Sequence, residues 1–236
     1  MTKIEWAEKT WSPITGCTPI SEGCAHCYAK RMAQRMKGRY GYPEDEPFKV
    51  TFHPDKLSKP SQWKKPSMIF VCSMGDLFHE DVTEKMYYDV LHTCFDNPQH
   101  TFLFLTKRPE RMRDLAFKFT ISDNIWFGVT AENQRTADER IPILLDIPAK
   151  VRFVSVGPML ERIVIPNIKH LDWIICGAET GNSKRWMNPE WALSLKDQCK
   201  DTGVSLFFKK DGEGKRLLDG QMYEEYPVKL LDKERE

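Results

Sequence analysis

Short apolar runs rich in β-branched and aromatic residues recur along the chain, at Met68–Cys72, Thr101–Leu105, Ile125–Val129, Val151–Val156, Leu171–Cys176 and Val204–Phe208. They are near-continuous rather than alternating, which is the pattern of strands in a parallel sheet covered on both faces. Between most of them, stretches of mixed polarity predict helices over Val82–Phe95, Pro109–Ala116, Asn133–Leu145 and Pro189–Lys200. Two of these have recognisable starts. Asp81 can cap the first, and Asn188-Pro189 with Glu190 opens the last.

A first strand over Trp11–Thr15 and a helix over Tyr28–Lys37 extend the alternation to the start of the chain. The expectation is an α/β fold, a partial TIM-like (β/α) barrel with about six or seven mainly parallel strands. Residues 38–67 hold Pro43, Pro47, Pro54 and Pro60 and read as an irregular insertion, while Leu218-Asp219-Gly220 reads as a turn before a short closing segment. Lys229–Glu236 reads as a frayed charged end. With neither a composition break nor a long linker, 236 residues predict a single domain spanning 1–236.

Lysine and arginine total 35 against 34 for aspartate and glutamate, so overall charge gives no reason to expect a nucleic acid or a membrane surface as partner. Only local patches can supply one. The start of the chain lacks the apolar core of a signal peptide, and no apolar run approaches the ~20 residues of a membrane span. A cytoplasmic protein is expected, in which seven cysteines favour metal ligation or burial over disulfides. Cys72, Cys94, Cys176 and Cys199 lie in apolar or helical contexts and read as small core residues.

The other three cysteines stand in Gly16-Cys17-Thr18-Pro19-Ile20-Ser21-Glu22-Gly23-Cys24-Ala25-His26-Cys27-Tyr28, spaced C-x6-C-x2-C. Three thiolates suit a [4Fe–4S] cluster and leave one iron open to a small molecule. Structural zinc normally takes four ligands, and a fourth is not obvious: His26 adjoins Cys27, while His53 and His79 would have to arrive through folding. A triplet without metal is the bland alternative. A redox pair of Cys24 and Cys27 leaves Cys17 unexplained.

In a β/α barrel, function collects where strands end at their C-terminal side. Those places hold Ser73-Met74-Gly75-Asp76, Thr106-Lys107-Arg108, Thr130-Ala131-Glu132-Asn133, Gly157-Pro158, Gly177-Ala178-Glu179-Thr180-Gly181 and Lys209-Lys210. Lys107 and Arg108, with Arg111 and Arg113 following, suit a basic lip for a phosphate-bearing substrate; the alternative is a solvated helix start. Trp186 and Trp191 beside Lys184 and Arg185 suit either base stacking or a staple at the helix start.

Together these features resemble the radical S-adenosylmethionine superfamily: a Cys loop after the first strand and a Met-Gly-Asp turn after the second. The motifs Leu105-Thr106-Lys107-Arg108-Pro109-Glu110-Arg111-Met112, Gly128-Val129-Thr130-Ala131-Glu132-Asn133-Gln134, Ala137-Asp138-Glu139-Arg140-Ile141-Pro142 and Phe207-Phe208-Lys209-Lys210 resemble an uncharacterised, phage-associated branch of it. The chain departs from the superfamily in its first cysteine gap, six residues where three are usual. It departs from the branch at Gly157, where an acidic residue is expected.

The resemblance implies that Cys17, Cys24 and Cys27 hold a [4Fe–4S] cluster whose open iron binds S-adenosyl-L-methionine. It places Ser73, Met74 and Asp76 at the methionine moiety, Glu132 or Asn133 at the ribose and Gly177 to Glu179 at the adenine. Lys107 and Lys209 are the candidates for catalysis, and Lys107 and Arg108 for substrate binding. The implied partners are an external electron donor and a small-molecule or nucleotide substrate, a nucleic-acid base among the choices. The rival from another class is a non-enzymatic metal-stabilised barrel that binds nucleic acid or protein.

Overall fold

A computed structural model describes residues 4–227. The charged end expected over Lys229–Glu236 lies outside them. The chain forms two compact units: the first runs to Trp126 and takes in Ile147–Lys150, and the second comprises Phe127–Asp146 and the chain from Val151 onward.

In the first unit, β1 (Lys9–Trp11), β4 (Met68–Val71) and β5 (Thr101–Thr106) pair in parallel, with Trp11 opposite Val71 and Phe70 opposite Leu103. All four residues of β4 are buried, as its continuous apolar run requires. The first parallel strand therefore ends at Trp11, earlier than the expected Trp11–Thr15. Ser12-Pro13 interrupts it, because proline has no N–H to offer a ladder. Ile14–Thr15 instead forms β2, antiparallel to β3 (Thr51–Phe52) inside the expected insertion.

Helix α1 (Tyr28–Arg35) follows the Cys loop, α2 (Glu84–Phe95) follows β4, and α3 (Pro109–Lys118) follows β5. The cap of α2 is Thr83, whose hydroxyl accepts from the Met86 amide at 3.3 Å, and not Asp81. Asp81 instead gives its amide to His79 Nδ1 at 3.1 Å.

The second unit carries β6 (Ile125–Thr130), whose first two residues belong to the first unit, then β7 (Arg152–Val156), β8 (Trp173–Cys176) and β9 (Ser205–Phe208). These four strands are parallel and adjacent in chain order. Helix α4 (Gln134–Asp146) joins β6 to β7, and α5 (Pro189–Thr202) precedes β9 with Asn188 as its side-chain cap. Trp173 anchors this core, its ring 5.9 Å from Phe153 and 5.3 Å from Tyr226. A two-residue turn at Asp219 and Gly220, both at positive φ, joins β10 (Leu217–Leu218) to β11 (Gln221–Met222). Parallel strands joined for the most part through helices, with only a short helical turn at Ile168–His170 between β7 and β8, make the fold class α/β, a partial TIM-like (β/α) barrel.

Candidate functional site

The Cys loop is bound backbone to backbone to the turn after β4. The Gly16 amide donates to the Met74 carbonyl at 2.9 Å, and the Cys72 amide to the Trp11 carbonyl at 2.7 Å. Gly16 is at φ +86°, and a Cβ there would lie 2.1 Å from the Lys49 carbonyl oxygen. A Cβ on Gly75 would lie 2.9 Å from the Gly16 oxygen and 3.0 Å from Thr15 backbone atoms. Glycine at 75 is what lets the two loops touch, and glycine at 16 lets the Cys loop close onto the Phe48–Lys49 backbone. Buried Cys72, at φ 55°, adds a strained residue where the turn begins. The Tyr28 hydroxyl, at the start of α1, donates to the Ser73 carbonyl, and the Ser12 and Ser73 hydroxyls lie 3.5 Å apart.

Cys17, Cys24 and Cys27 are free and half-buried. A tight helical turn over Glu22–Cys24 precedes Cys27, which stands at the N-terminal end of α1. The Cys17 thiol is pushed up to about 11, first by burial and then by the Asp76 carboxylate, against the pull of Arg108. Burial also opposes ionisation of Cys24, but the Lys107 ammonium and hydrogen bonds at Ile20 and Ser21 outweigh it and lower that thiol.

Arg108 lies under this loop. Its guanidinium donates from Nη1 to Cys17 Sγ at 3.4 Å and Asp76 Oδ2 at 3.2 Å. From Nη2 it donates to the Thr18 carbonyl and hydroxyl at 3.1 and 2.9 Å, and from Nε to Glu80 at 3.2 Å. Asp76, 6% exposed, also accepts from the Thr106 hydroxyl at 2.8 and 2.9 Å and from the Phe78 amide at 3.0 Å. Expected to face the methionine moiety, Asp76 is thus already engaged by three residues of its own unit. Buried His79 places Nε2 2.8 Å from the Thr18 hydroxyl; Nδ1 accepts from Asp81, so the proton belongs on Nε2. Of the two expected lip residues, Lys107 is half-buried, and Arg108 is buried and turned onto the Cys loop.

In the second unit the strand-end carboxylates are likewise held by arginines. Fully buried Glu132 accepts from Arg140 at 2.8 Å, and Arg140 also donates to the Thr130 carbonyl at 2.7 Å. Asn133 caps α4, its Oδ1 accepting from the Thr136 amide at 2.9 Å and the Thr136 hydroxyl at 2.8 Å. Glu179, 8% exposed, accepts from the Arg185 amide at 2.8 Å, Nε at 3.0 Å and Nη2 at 2.5 Å.

The Lys209 side chain crosses two glycines. A Cβ on Gly157 would meet its Nζ at 2.6 Å, and one on Gly177 would meet its Cβ at 3.0 Å. The ammonium therefore occupies the space that a side chain at 157 would need. Lys210 lines a cavity of about 130 Å³ with Glu179, Thr180, Gly181, Lys184 and Asp211. Trp186 is 70% exposed, its ring 5.8 Å from that of Trp191.

The sequence brought Thr18, Glu80 and Arg140 into no site and set Arg185 only beside the candidate stacking residues Trp186 and Trp191, because a buried Arg–carboxylate pair has no periodicity to betray it. The available signals were weak: spacings of eight residues for Glu132 and Arg140 and six for Glu179 and Arg185. Among the described residues no three His, Cys, Asp or Glu side chains are gathered as a ready-made metal cage. The three cysteines fit an iron–sulfur cluster by donor chemistry: free thiols on one loop, with a guanidinium donor at the first and a lysine field at the second.

A family model described as "Protein of unknown function (DUF5131)" matches residues 1–227, and the chain belongs to that family. No curated protein matches it. Among solved structures, a mutant of spore photoproduct lyase is similar, with a TM-score of 0.54 and 11% identity over 88% of this chain and 80% of the other. At that identity the likeness is one of fold, and the fold agrees with the radical S-adenosylmethionine resemblance.

Proposed function

We propose that this member of the DUF5131 family is a radical S-adenosylmethionine enzyme. The observation that carries the proposal is the Cys loop itself: three half-buried free cysteines on a loop whose Gly16 is bound to the turn after β4, in a chain sharing its fold with spore photoproduct lyase. Cys17, Cys24 and Cys27 would hold a [4Fe–4S] cluster. When bound, the cluster supplies the electron that cleaves S-adenosylmethionine into methionine and a 5′-deoxyadenosyl radical, which removes a hydrogen atom from the substrate.

The chain's own residues position these partners. The close approach of Gly16 and Gly75 fixes the Cys loop beside Ser73 and Met74, which would border the methionine moiety. Arg108 and Thr106 hold Asp76 rigid there. Glu132 and Asn133 would border the ribose, with Arg140 and Thr136 fixing their directions. Gly177 and Glu179 would border the adenine. Lys107 and Lys209 are the cations proposed for substrate, a phosphate-bearing small molecule, nucleotide or nucleic-acid base, a class suggested by the basic residues after β5 and by the phage association of the branch the sequence resembles. An external donor supplies the electron. No helix among the described residues is long and apolar enough to cross a membrane, and the free cysteines suit a reducing cytoplasm.

The test is anaerobic reconstitution, with iron, sulfide and zinc measured per chain, followed by dithionite and S-adenosylmethionine and an assay for 5′-deoxyadenosine. Cluster-dependent 5′-deoxyadenosine, lost in a folded Cys24→Ala variant, is the expected result. Zinc alone, or a stable cluster without cleavage, would overturn the proposal and favour the metal-stabilised binding barrel.

A further inference from the structure

Arg108 has the composition of a substrate-phosphate residue and the geometry of something else. A guanidinium carries five N–H donors in a fixed fork. Here five acceptor atoms meet it: Cys17 Sγ, Asp76 Oδ2, the Thr18 carbonyl and hydroxyl, and Glu80 Oε2. The fork is therefore saturated within its own unit, and 9% of the residue is exposed. Its backbone is fixed as well, because the Arg108 amide donates to the Thr106 hydroxyl at 2.9 Å and Pro109 begins α3 immediately after. Thr106 in turn holds Asp76, so one strand end pins both the guanidinium and the carboxylate that aims it.

We propose that Arg108 is a positioning residue of the iron–sulfur centre, donating an N–H···S hydrogen bond to the Cys17 sulfur and thereby holding the cluster's reduction potential up. The proposal rests on the cluster reading above and assigns to Arg108 a partner other than the substrate. An N–H donor at a ligating sulfur withdraws electron density and stabilises the reduced, more negative cluster. The two donors to Thr18, the residue after Cys17, fix the sulfur relative to the guanidinium. Lysine cannot reproduce this arrangement: its ammonium is a point charge with three donors and no planar fork to span Cys17, Asp76 and Thr18.

The experiment compares reconstituted wild type with Arg108→Lys and Arg108→Gln, without S-adenosylmethionine. Iron and sulfide per chain are measured first, then the cluster's midpoint potential by redox titration followed by electron paramagnetic resonance. Both variants should show a more negative midpoint than wild type, with Arg108→Gln, which loses the charge as well, the lower of the two. Equal midpoints, or a shift to more positive values, would overturn the proposal while leaving the cluster assignment intact. A wild-type chain that takes up no iron and sulfide overturns that assignment and the proposal together. Should the variants fail to assemble a cluster, wild type labelled with a nitrogen isotope at arginine decides. Pulsed resonance of the reduced cluster should show hyperfine coupling to a guanidinium nitrogen, and its absence refutes the hydrogen bond.

Discussion

Replacing Gly75 by alanine measures how tightly the Cys loop is held against the turn after β4. The new Cβ would lie 2.9 Å from the Gly16 oxygen and 3.0 Å from the Thr15 carbonyl carbon and Cα. All three are backbone atoms that no side-chain rotation can move, so the loops must part by some tenths of an ångström. Overpacking of this kind costs about 1–3 kcal/mol. The bond at risk, Gly16 amide to Met74 carbonyl at 2.9 Å, contributes about 1 kcal/mol more if lost. The expected destabilisation is about 2–4 kcal/mol, a large part of the ~5–15 kcal/mol typical of a folded domain but short of unfolding it. Gly212→Ala is the control, because nothing lies within 4 Å of a Cβ there, and it should stay within about 0.5 kcal/mol of wild type. Urea denaturation of the metal-free protein, followed by circular dichroism, reads both. Because Cys17 follows Gly16 directly, Gly75→Ala should also take up less iron and sulfide on reconstitution than Gly212→Ala. Equal stability and equal cluster uptake in the two variants would refute the claim that this contact sets the loop's position.

Arg140→Met should destabilise by about 3–5 kcal/mol in the same assay, because it removes the arginine from fully buried Glu132; adding Glu132→Gln should recover part of the loss. Gly157→Ala should shift stability by under about 1 kcal/mol, because the one atom its Cβ crowds, at 2.6 Å, is the far end of the Lys209 side chain, while Ser155 Oγ at 3.6 Å is in ordinary contact. It should nevertheless lower turnover once a substrate is found, and unchanged turnover would remove Lys209 from the site. His53 and His79 are both held below the ordinary histidine value of 6.5, chiefly by burial, with Lys56 adding to the effect at the first and Arg108 at the second. Below that value the unfolded chain takes up protons that the fold resists. Their contribution is therefore present above pH 6.5 and lost as pH falls through it toward the folded-state values, so the urea midpoint should be lower at about pH 5.5 than at about pH 7.5. A flat profile across that window would refute the assignment. Asn188→Ala should cost about 1 kcal/mol through loss of the α5 cap.

Much of the fold was legible because burial leaves a local trace. The run Met68–Cys72 is apolar throughout because both faces of β4 are covered, and the Asn188-Pro189 start of α5 is written in adjacent residues. The C-x6-C-x2-C spacing likewise put three thiols on one loop before any coordinate was known. Local signals failed where two candidates competed within a few residues. Thr83 rather than Asp81 caps α2, since the helix begins at Glu84, directly after Thr83, and Pro13 separates the parallel strand Lys9–Trp11 from Ile14–Thr15.

What the tertiary structure alone decided is the direction of charge. In sequence, Asp76, Glu132 and Glu179 are three carboxylates at strand ends, and Arg108 is one of several basic residues after β5. In the fold each carboxylate is held by an arginine, and Arg108 turns inward onto Cys17 and Asp76, residues 91 and 32 positions away along the chain. Hydrophobic periodicity records which residues leave water, since that depends on a side chain's own polarity and its place in a turn or pleat. A buried ion pair depends on the distance between groups remote in sequence, and only the folded backbone sets that distance.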